Sequence, residues 1–442
     1  MTSYIANSTD EQKATLAYLG LESFEDLYSS LSEAVKLQEP LNISRGISEL
    51  EVRQVIQEMA EKNVVFPTIF RGAGAYRHYL PAIVKAVGTK ETLVTAYTPY
   101  QPEVSQGILQ SIFEYQTMIC ELTGMDASNA SVYDGATACA EALTMCDERN
   151  RTTVYVSETL NPEYLAVIKT YCYGANRKLV LIPEKAGYTD LEFLATNLNE
   201  ESSCVLIQQP NFYGLIEDGE KINQAIKAVG GRFIMCVNPI FTAIGKTPRE
   251  YGADIAVGDG QPLGLGLNFG GPYLGFMACT SELARKLPGR IVGETKDIEG
   301  KRAFVMTMQA REQHIRRERA SSNICSNQAL CATIAACYLA IMGPRGLTQV
   351  SQQCLSKAHY LAKEITKIKG FDLVFKGEFF HEFVTTCPID AKELMAKLVA
   401  YGILGGYVLE NEHQNNILWC CTEVISEQEI EKLLKAIKEI VE

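Results

Sequence analysis

Apolar positions divide this chain into three textures. Over the first 65 or so residues they recur at three- and four-residue spacing, in Ser30–Lys36 and Ile47–Asn63, with Pro40 breaking the segments. That period predicts helices, and an N-terminal helical arm of a large enzyme commonly wraps a partner subunit. From about 66 to 345 short apolar runs dominate: Thr153–Ser157, Lys178–Pro183, Cys204–Gln209, Phe233–Asn238, Asp254–Val257 and Tyr273–Thr280. Helix-length stretches such as Pro162–Cys172 and Gly219–Val229 lie between several of them. Apolar strands alternating with helices predict an α/β domain with a mainly parallel sheet covered on both faces.

After about 345 the pattern changes again. It predicts a helix through Ala358–Ile368, strands near Phe371–Phe375 and Glu382–Thr386, and a helix at Ala391–Tyr401. Strands at Ile403–Leu409 and Ile417–Thr422 follow, then a last helix. Ser426-Glu-Gln-Glu429 reads as that helix's capping box, and Ile430, Leu433, Leu434, Ile437 and Val441 as its apolar face. The expected organisation is an arm (1–65), a large domain (66–345) and a small C-terminal α+β domain (346–442).

Composition narrows the function classes. The 442 residues are 47% hydrophobic and 21% charged, ordinary for a globular chain too long for one core. A net charge of -12 argues against nucleic acid or an anionic membrane as partner. The nearly apolar run Ala329–Gly343 falls short of the roughly 20 residues that span a bilayer and predicts a buried helix. The acidic N-terminus shows neither a secretory nor a transit pattern, which predicts a cytoplasmic protein with reduced cysteines. Fourteen cysteines without a Cys-x-x-Cys pair, and five histidines without ligand spacing, predict no disulfide framework and no metal site.

Several segments are candidates for chemistry. Val132–Leu143 reads as a turn into a helix, with Asp134 able to cap and Gly135 permitting close backbone approach. Such a terminus can hold a phosphate, although an ordinary capped helix would carry the same residues. Gln208–Asp218 follows a strand and is either a crevice loop or a plain Pro/Gly turn. The strand Phe233–Asn238 ends in Asn238, and the strand Ala253–Val257 runs into Gly258-Asp-Gly-Gln-Pro262. Ala96–Gly107 is dense in polar side chains held between Pro99 and Pro102, which suits a preorganised site-lining loop or a rigid structural one. Arg316, Arg317 and Arg319 form a basic cluster that is either a site for a carboxylate or acidic partner or an ordinary solvated charged face. The Gly-rich run Gly264–Pro272 leads into a strand rather than a helix, which excludes dinucleotide binding.

The α/β pattern resembles the aspartate-aminotransferase-like, fold type I enzymes of pyridoxal phosphate. In that fold a strand-end aspartate pairs with the cofactor's pyridinium nitrogen, and a lysine after the next buried strand holds the cofactor covalently. Here Asn238 stands at the first position, and Gln261 and Pro262 stand near the second. Four longer stretches sharpen the resemblance: Phe70–Pro81, Tyr97–Gly107, Glu114–Gly124 and Arg319–Leu330 all look like the glycine decarboxylase P-protein, in its N-terminal half. Tyr4–Asn7 and Gly293–Asp297 add to the match, while Arg71 and Arg77 depart from the commonest form of the first stretch.

The resemblance implies an α subunit without catalytic residues of its own. Pyridoxal phosphate would be bound by a β subunit, in an α2β2 heterotetramer. The pair would decarboxylate glycine and pass the aminomethyl group to the lipoyl arm of H-protein. Tyr97, Thr98, Tyr100, Gln101, Glu103, Ser105, Gln106, Arg319, Ser322 and Asn323 would line the partner's active site. Two alternatives remain on the sequence: a self-sufficient pyridoxal-phosphate enzyme using another lysine such as Lys246, or a structural docking subunit.

Overall fold

The computed structural model describes residues 7–39, 41–94, 97–320, 322–324, 327–410 and 413–441. The predicted break at Pro40, most of the Tyr4–Asn7 match, Ala96 of the polar loop, and Ser321, Cys325 and Ser326 of the Arg319–Leu330 stretch lie outside the described residues. The chain divides into two compact units, Met1–Val65 and Phe66–Glu442.

The first unit is helical. α1 (Thr9–Tyr18) and α2 (Glu49–Ala60) each begin with a capping box, Ser8 with Glu11 and Ser48 with Glu51, which satisfies the first backbone N–H groups. The expected helix over Ser30–Lys36 is reduced to a single 3-10 turn at Glu33–Val35. Leu50, Val55, Ile56 and Met59 of α2 are exposed.

The second unit is built on a seven-stranded sheet. Its strands are β1 (Ala127–Ser128), β2 (Thr153–Ser157), β3 (Lys178–Ile182), β4 (Ser202–Gln209), β5 (Arg232–Val237), β6 (Ile255–Asp259) and β7 (Gly275–Cys279). Their spatial order is β1-β7-β6-β5-β4-β2-β3. The pairs from β3 through β6 are parallel, and β7 is antiparallel to both its neighbours. The period of two decides which core each residue joins. Val205, Ile207, Phe233 and Met235 point to one face, packed by α3 (Pro102–Thr123), α6 (Gly219–Ala228) and the long α7 (Ala329–Ile365). Cys204, Leu206, Ile234 and Val257 point to the other, packed by α4 (Gly135–Met145) and α5 (Pro162–Gly174). This is the mainly parallel, doubly covered sheet that the alternation predicted.

α7 is long and apolar enough to cross a membrane by length and composition. Here it is a core helix: Tyr338 and Leu347 enter the sheet core, and Leu361 and Ile365 enter a second, C-terminal core. It bends where Gly343 takes φ 58° and ψ 179° ahead of Pro344, which cannot continue the ladder. The segment 358–368 is therefore the end of this helix and not a separate element.

The C-terminal core packs around a three-stranded sheet of β8 (Glu382–Thr385), β9 (Tyr407–Val408) and β10 (Ile417–Cys420), with α8 (Ala391–Val399) and α9 (Glu427–Val441). The expected strand at Phe371–Phe375 contributes one bridge, Leu373 to Thr385; its two phenylalanines are core residues. The expected strand Ile403–Leu409 is divided, because Gly405 and Gly406 interrupt it and Ile403–Leu404 pairs instead with Thr68–Ile69. Ser426 caps α9: its Oγ accepts from Glu429 N at 3.2 Å, and the Glu429 carboxylate accepts from Ser426 N at 2.8 Å.

Glu382 on β8 ties the Phe70–Pro81 segment to this sheet. Its carboxyl accepts from Ala73 N at 2.7 Å and from the Tyr76 hydroxyl at 2.8 Å. Arg71 and Arg77 serve the same segment, Arg71 donating to the carbonyls of Gly405 and Gly406 and Arg77 to that of Pro67.

Two predictions follow from these ties. Ser426→Ala should cost about 1 kcal/mol in denaturant unfolding followed by Trp419, the chain's single tryptophan, which is buried and donates to Thr385 Oγ1. Burial raises the Glu382 carboxyl from 4.5 to about 7, against the Ala73 and Tyr76 hydrogen bonds that lower it. The folded state then holds that proton more tightly than the unfolded one. This contribution is most favourable below the unfolded value of 4.5 and is lost as pH rises towards about 7. Glu382→Gln, which keeps the shape, should remove a pH-dependent loss on the order of 3 kcal/mol between acid and pH 8. Unfolding of both proteins at several pH values checks it; parallel pH profiles would contradict it.

Candidate functional site

In an open parallel sheet the ligand crevice lies beyond the carboxyl ends of the strands. Here β4, β5 and β6 end around a small cavity lined by Tyr76, Tyr164, Gln208, Asn238, Asp259 and Pro262, among others. Its volume is ≈ 30 Å³. That is room for about one water, against the several hundred Å³ of a typical ligand pocket.

The chain's own polar groups fill the rest. Gln261 is fully buried and hooks the backbone of Tyr76 from both sides: its Oε1 accepts from Tyr76 N at 2.8 Å, and its Nε2 donates to Tyr76 O at 2.8 Å. The same Nε2 lies 3.1 Å from Leu265 O. Pro262 closes the adjoining wall. At β5's end, Asn238 turns its Oδ1 onto Ile240 N at 2.9 Å, which caps the turn through Pro239. Its Nδ2 is 3.5 Å from His381 Nε2. His381 is packed against the ring of Tyr76 at 4.6 Å, and burial, then the nearby His78, depresses its pKa and keeps it neutral. Gln208 lines the cavity but accepts from Asn161 N at 2.9 Å.

The N-terminus of α4 is satisfied internally as well. Asp134 Oδ1 accepts from Thr137 N at 2.7 Å, and Asp259 Oδ2 accepts from Gly135 N at 3.0 Å. Only glycine fits at 135, since a Cβ would lie 2.5 Å from the Tyr164 hydroxyl and 3.0 Å from Asp259 Cβ. Burial raises the Asp259 carboxyl to about 7; the Gly135 and Gln261 N–H groups lower it, and Asp134 raises it.

Tested against pyridoxal phosphate, this crevice does not fit. Among the described residues that line the cavity there is no lysine, β5 ends in the neutral amide Asn238, and the N-terminus of α4, where the resemblance would put the phosphate, is taken by the carboxylates of Asp259 and Asp134. Lys246, the alternative anchor, is exposed and ion-paired with Glu220. The crevice loop Gln208–Asp218 is likewise turned inward. Asn211 donates to the buried Glu217 carboxylate at 2.8 Å and accepts from the N–H groups of Tyr213 and Leu215.

The ten residues expected to line a partner's site lie in two regions. In the polar loop, Tyr97, Tyr100, Gln101 and Glu103 are exposed, and Thr98 and Ser105 are half-buried. The Tyr100 hydroxyl meets the Arg290 guanidinium, whose carbon is 5.1 Å from the tyrosine ring, and His314 stands beside the same ring. Gln106 differs from its neighbours. Its amide bonds both backbone groups of Phe304, accepting from N at 2.8 Å and donating to O at 2.9 Å, so it holds the loop to the hairpin Ile291–Thr307. In the second region Arg319 and Asn323 are exposed, and Ser322 borders a groove with Glu141, Lys286 and Asp147. Burial raises Glu141 to about 7, against a hydrogen bond from Ser322 and the charge of Arg177.

Sequence spacing missed one cluster. His78, Cys354 and Glu423 place their donor atoms within 4.8 Å of one another. His78 Nδ1 lies 2.7 Å from Glu423 Oε2, and Tyr79 N donates to Glu423 Oε1 at 2.6 Å, so this carboxylate is engaged within the chain. A separation of 345 positions between His78 and Glu423 leaves no local pattern to read. The thirteen cysteines among the described residues are all free thiols.

Comparison with known proteins places this geometry. The family model described as "Glycine cleavage system P-protein" matches residues 2–437. A probable glycine dehydrogenase (decarboxylating) subunit 1 from Desulfitobacterium hafniense is 46% identical, over 99% of each chain. The protein of the same description from Carboxydothermus hydrogenoformans is 48% identical, over 98% of this chain and 99% of that one. A crystal structure of glycine decarboxylase (P-protein) of the glycine cleavage system, in inhibitor-bound form, superposes with a TM-score of 0.94 at 39% identity, over 100% of both chains. A glutamate decarboxylase from Lactobacillus brevis, at 13% identity and a TM-score of 0.67 over 92% of this chain and 96% of that one, shares the fold. The fold is thus that of the type I pyridoxal-phosphate enzymes, and the chain belongs to the glycine cleavage system P-protein family, as a subunit 1 of a two-subunit glycine dehydrogenase (decarboxylating).

Proposed function

We propose that this chain is the subunit that does not hold the cofactor, and that its partner, subunit 2, binds pyridoxal phosphate covalently. The observation that carries this reading is Gln261. The side chain near which a lysine is required is buried and committed to the backbone of Tyr76. Asn238 and the ≈ 30 Å³ cavity agree with it. Pyridoxal phosphate supplies an electron sink for the decarboxylation of glycine, and the aminomethyl group passes to the lipoyl arm of H-protein.

In this reading the chain's own contribution is to wall the partner's pocket, exclude water and orient the substrate. Tyr97, Thr98, Tyr100, Gln101, Glu103 and Ser105 face that pocket, with Arg319, Ser322 and Asn323 at its margin. Gln106 positions the loop from behind. The first unit clasps the partner, the assembly is an α2β2 heterotetramer, and the complex works in the cytoplasm. A docking role without any part in the active site would leave the exposed polar groups of the loop without a purpose.

Two expected outcomes test this. The isolated chain should not catalyse glycine–bicarbonate exchange with pyridoxal phosphate and H-protein, and addition of subunit 2 should restore exchange in an assembly with the mass of two copies of each chain. Exchange by the isolated chain, or a complex of one copy each, would contradict it. Within the loop, Gln101→Ala should change stability by less than about 0.5 kcal/mol and lower exchange roughly 100- to 1,000-fold. Gln106→Ala should do the reverse in kind. It leaves both Phe304 backbone groups without their partner and should cost roughly 1–3 kcal/mol in melting. Normal exchange by the Gln101 variant would remove the loop from the active site.

A further inference from the structure

Asp259 enters the reading above only as a carboxylate at the N-terminus of α4. It ends β6, is half-buried, and receives two backbone N–H groups from different elements: Gly135 at the start of α4 (3.0 Å) and Gln261 beyond β6 (2.8 Å). Its Cβ packs beneath Gly135 and it borders the ≈ 30 Å³ cavity. A helix N-terminus concentrates partial positive charge and unpaired N–H donors, which is the physical basis of phosphate and sulfate binding at such places. α4 has eleven residues, enough for that field to develop, and its own cap, Asp134, takes Thr137 N but leaves Gly135 N to Asp259.

We propose that Asp259 is a built-in anion that closes a latent phosphate site at the N-terminus of α4, so that this subunit excludes phosphate-bearing ligands with its own carboxylate. The proposal rests on the reading that the cofactor is held elsewhere, and deepens it. Loss of a lysine alone would leave a crevice able to take the cofactor without a covalent bond. A tethered carboxylate removes that option, because a phosphate dianion would have to displace it from the N–H groups of Gly135 and Gln261 and face Asp134 as well. It also explains how the subunit keeps α4's terminus satisfied with no ligand. The carboxylate does for the isolated fold what a bound phosphate would do for an active one, and the two are mutually exclusive.

The test uses the whole chain at pH 8, above the raised Asp259 value, and needs no enzymatic activity. Thermal melting is followed with inorganic phosphate and with sodium chloride at matched ionic strength, for the wild type, Asp259→Ala and Asp259→Asn. The wild type should melt at the same temperature in both salts. Asp259→Ala should melt lower and regain several degrees in phosphate specifically, because the anion replaces the missing carboxylate. Asp259→Asn still fills the space and should show no phosphate-specific gain. Should Asp259→Ala not fold, Asp259→Ser, which keeps a short acceptor, carries the same expectation. A wild type that phosphate stabilises as much as the variant, or an alanine or serine variant indifferent to phosphate, would overturn the proposal. Activity of the reconstituted complex is a separate matter: absence of exchange would bear on the assignment of function and not on Asp259.

Discussion

The structure of the crevice depends on one buried amide. Gln261 joins the loop after β6 to the Phe70–Pro81 segment through a donor and an acceptor on the same residue, Tyr76. With Tyr76 fixed, its hydroxyl reaches Glu382 on β8, and its ring supports His381 beside Asn238. The large sheet and the C-terminal sheet are thus tied across the cavity by hydrogen bonds among the buried Gln261, Tyr76 and Glu382. A buried amide with its groups paired is stabilising, and one left unpaired is costly, so this arrangement is all-or-none. A lysine in place of Gln261 would lose the acceptor for Tyr76 N and introduce a charge into a site with no room to hydrate it. On the proposed reading, the hydrogen bonds that close the crevice and the lack of a cofactor anchor are one feature.

The subunit keeps the scaffold of a type I pyridoxal-phosphate enzyme, and its own side chains occupy the crevice. Asn238 caps a turn, Gln208 and Asn211 hold loops, and Asp259 satisfies a helix terminus. Of the residues expected at a partner's site, Tyr97, Tyr100, Gln101, Glu103, Arg319 and Asn323 are exposed. The outer loop is held by Gln106 and by the Arg290–Tyr100 contact, as the proposed role in completing a partner's site requires.

Much of this was legible in the sequence, for a physical reason. Strands buried on both faces must be short apolar runs, and their alternation with helices leaves few topologies; the six runs read from the sequence are six of the seven strands of the large sheet. The residues at the two strand ends, Asn238 and Gln261-Pro262, could be singled out because covalent and ionic anchors demand particular side chains at such places. Other features were not. Phe371–Phe375 has the apolar content of a strand, but its phenylalanines are core plugs, and content does not distinguish the two. The helix at 358–368 was not seen to continue from Ala329, because Gly343-Pro344 reads as a stop although the chain only bends there. Gln106 was grouped with its polar neighbours because its partner, Phe304, lies 198 residues away. The cluster of His78, Cys354 and Glu423 was invisible for the same reason.

The central claim is that covalent cofactor chemistry belongs to the partner. It is tested most directly by reducing the active two-subunit complex with borohydride in the presence of pyridoxal phosphate, then mapping the modified peptides of both chains. The account predicts a stoichiometric pyridoxyl-lysine in subunit 2 and none in this chain. A stoichiometric adduct on Lys246, or on any other single lysine of this chain, would contradict it.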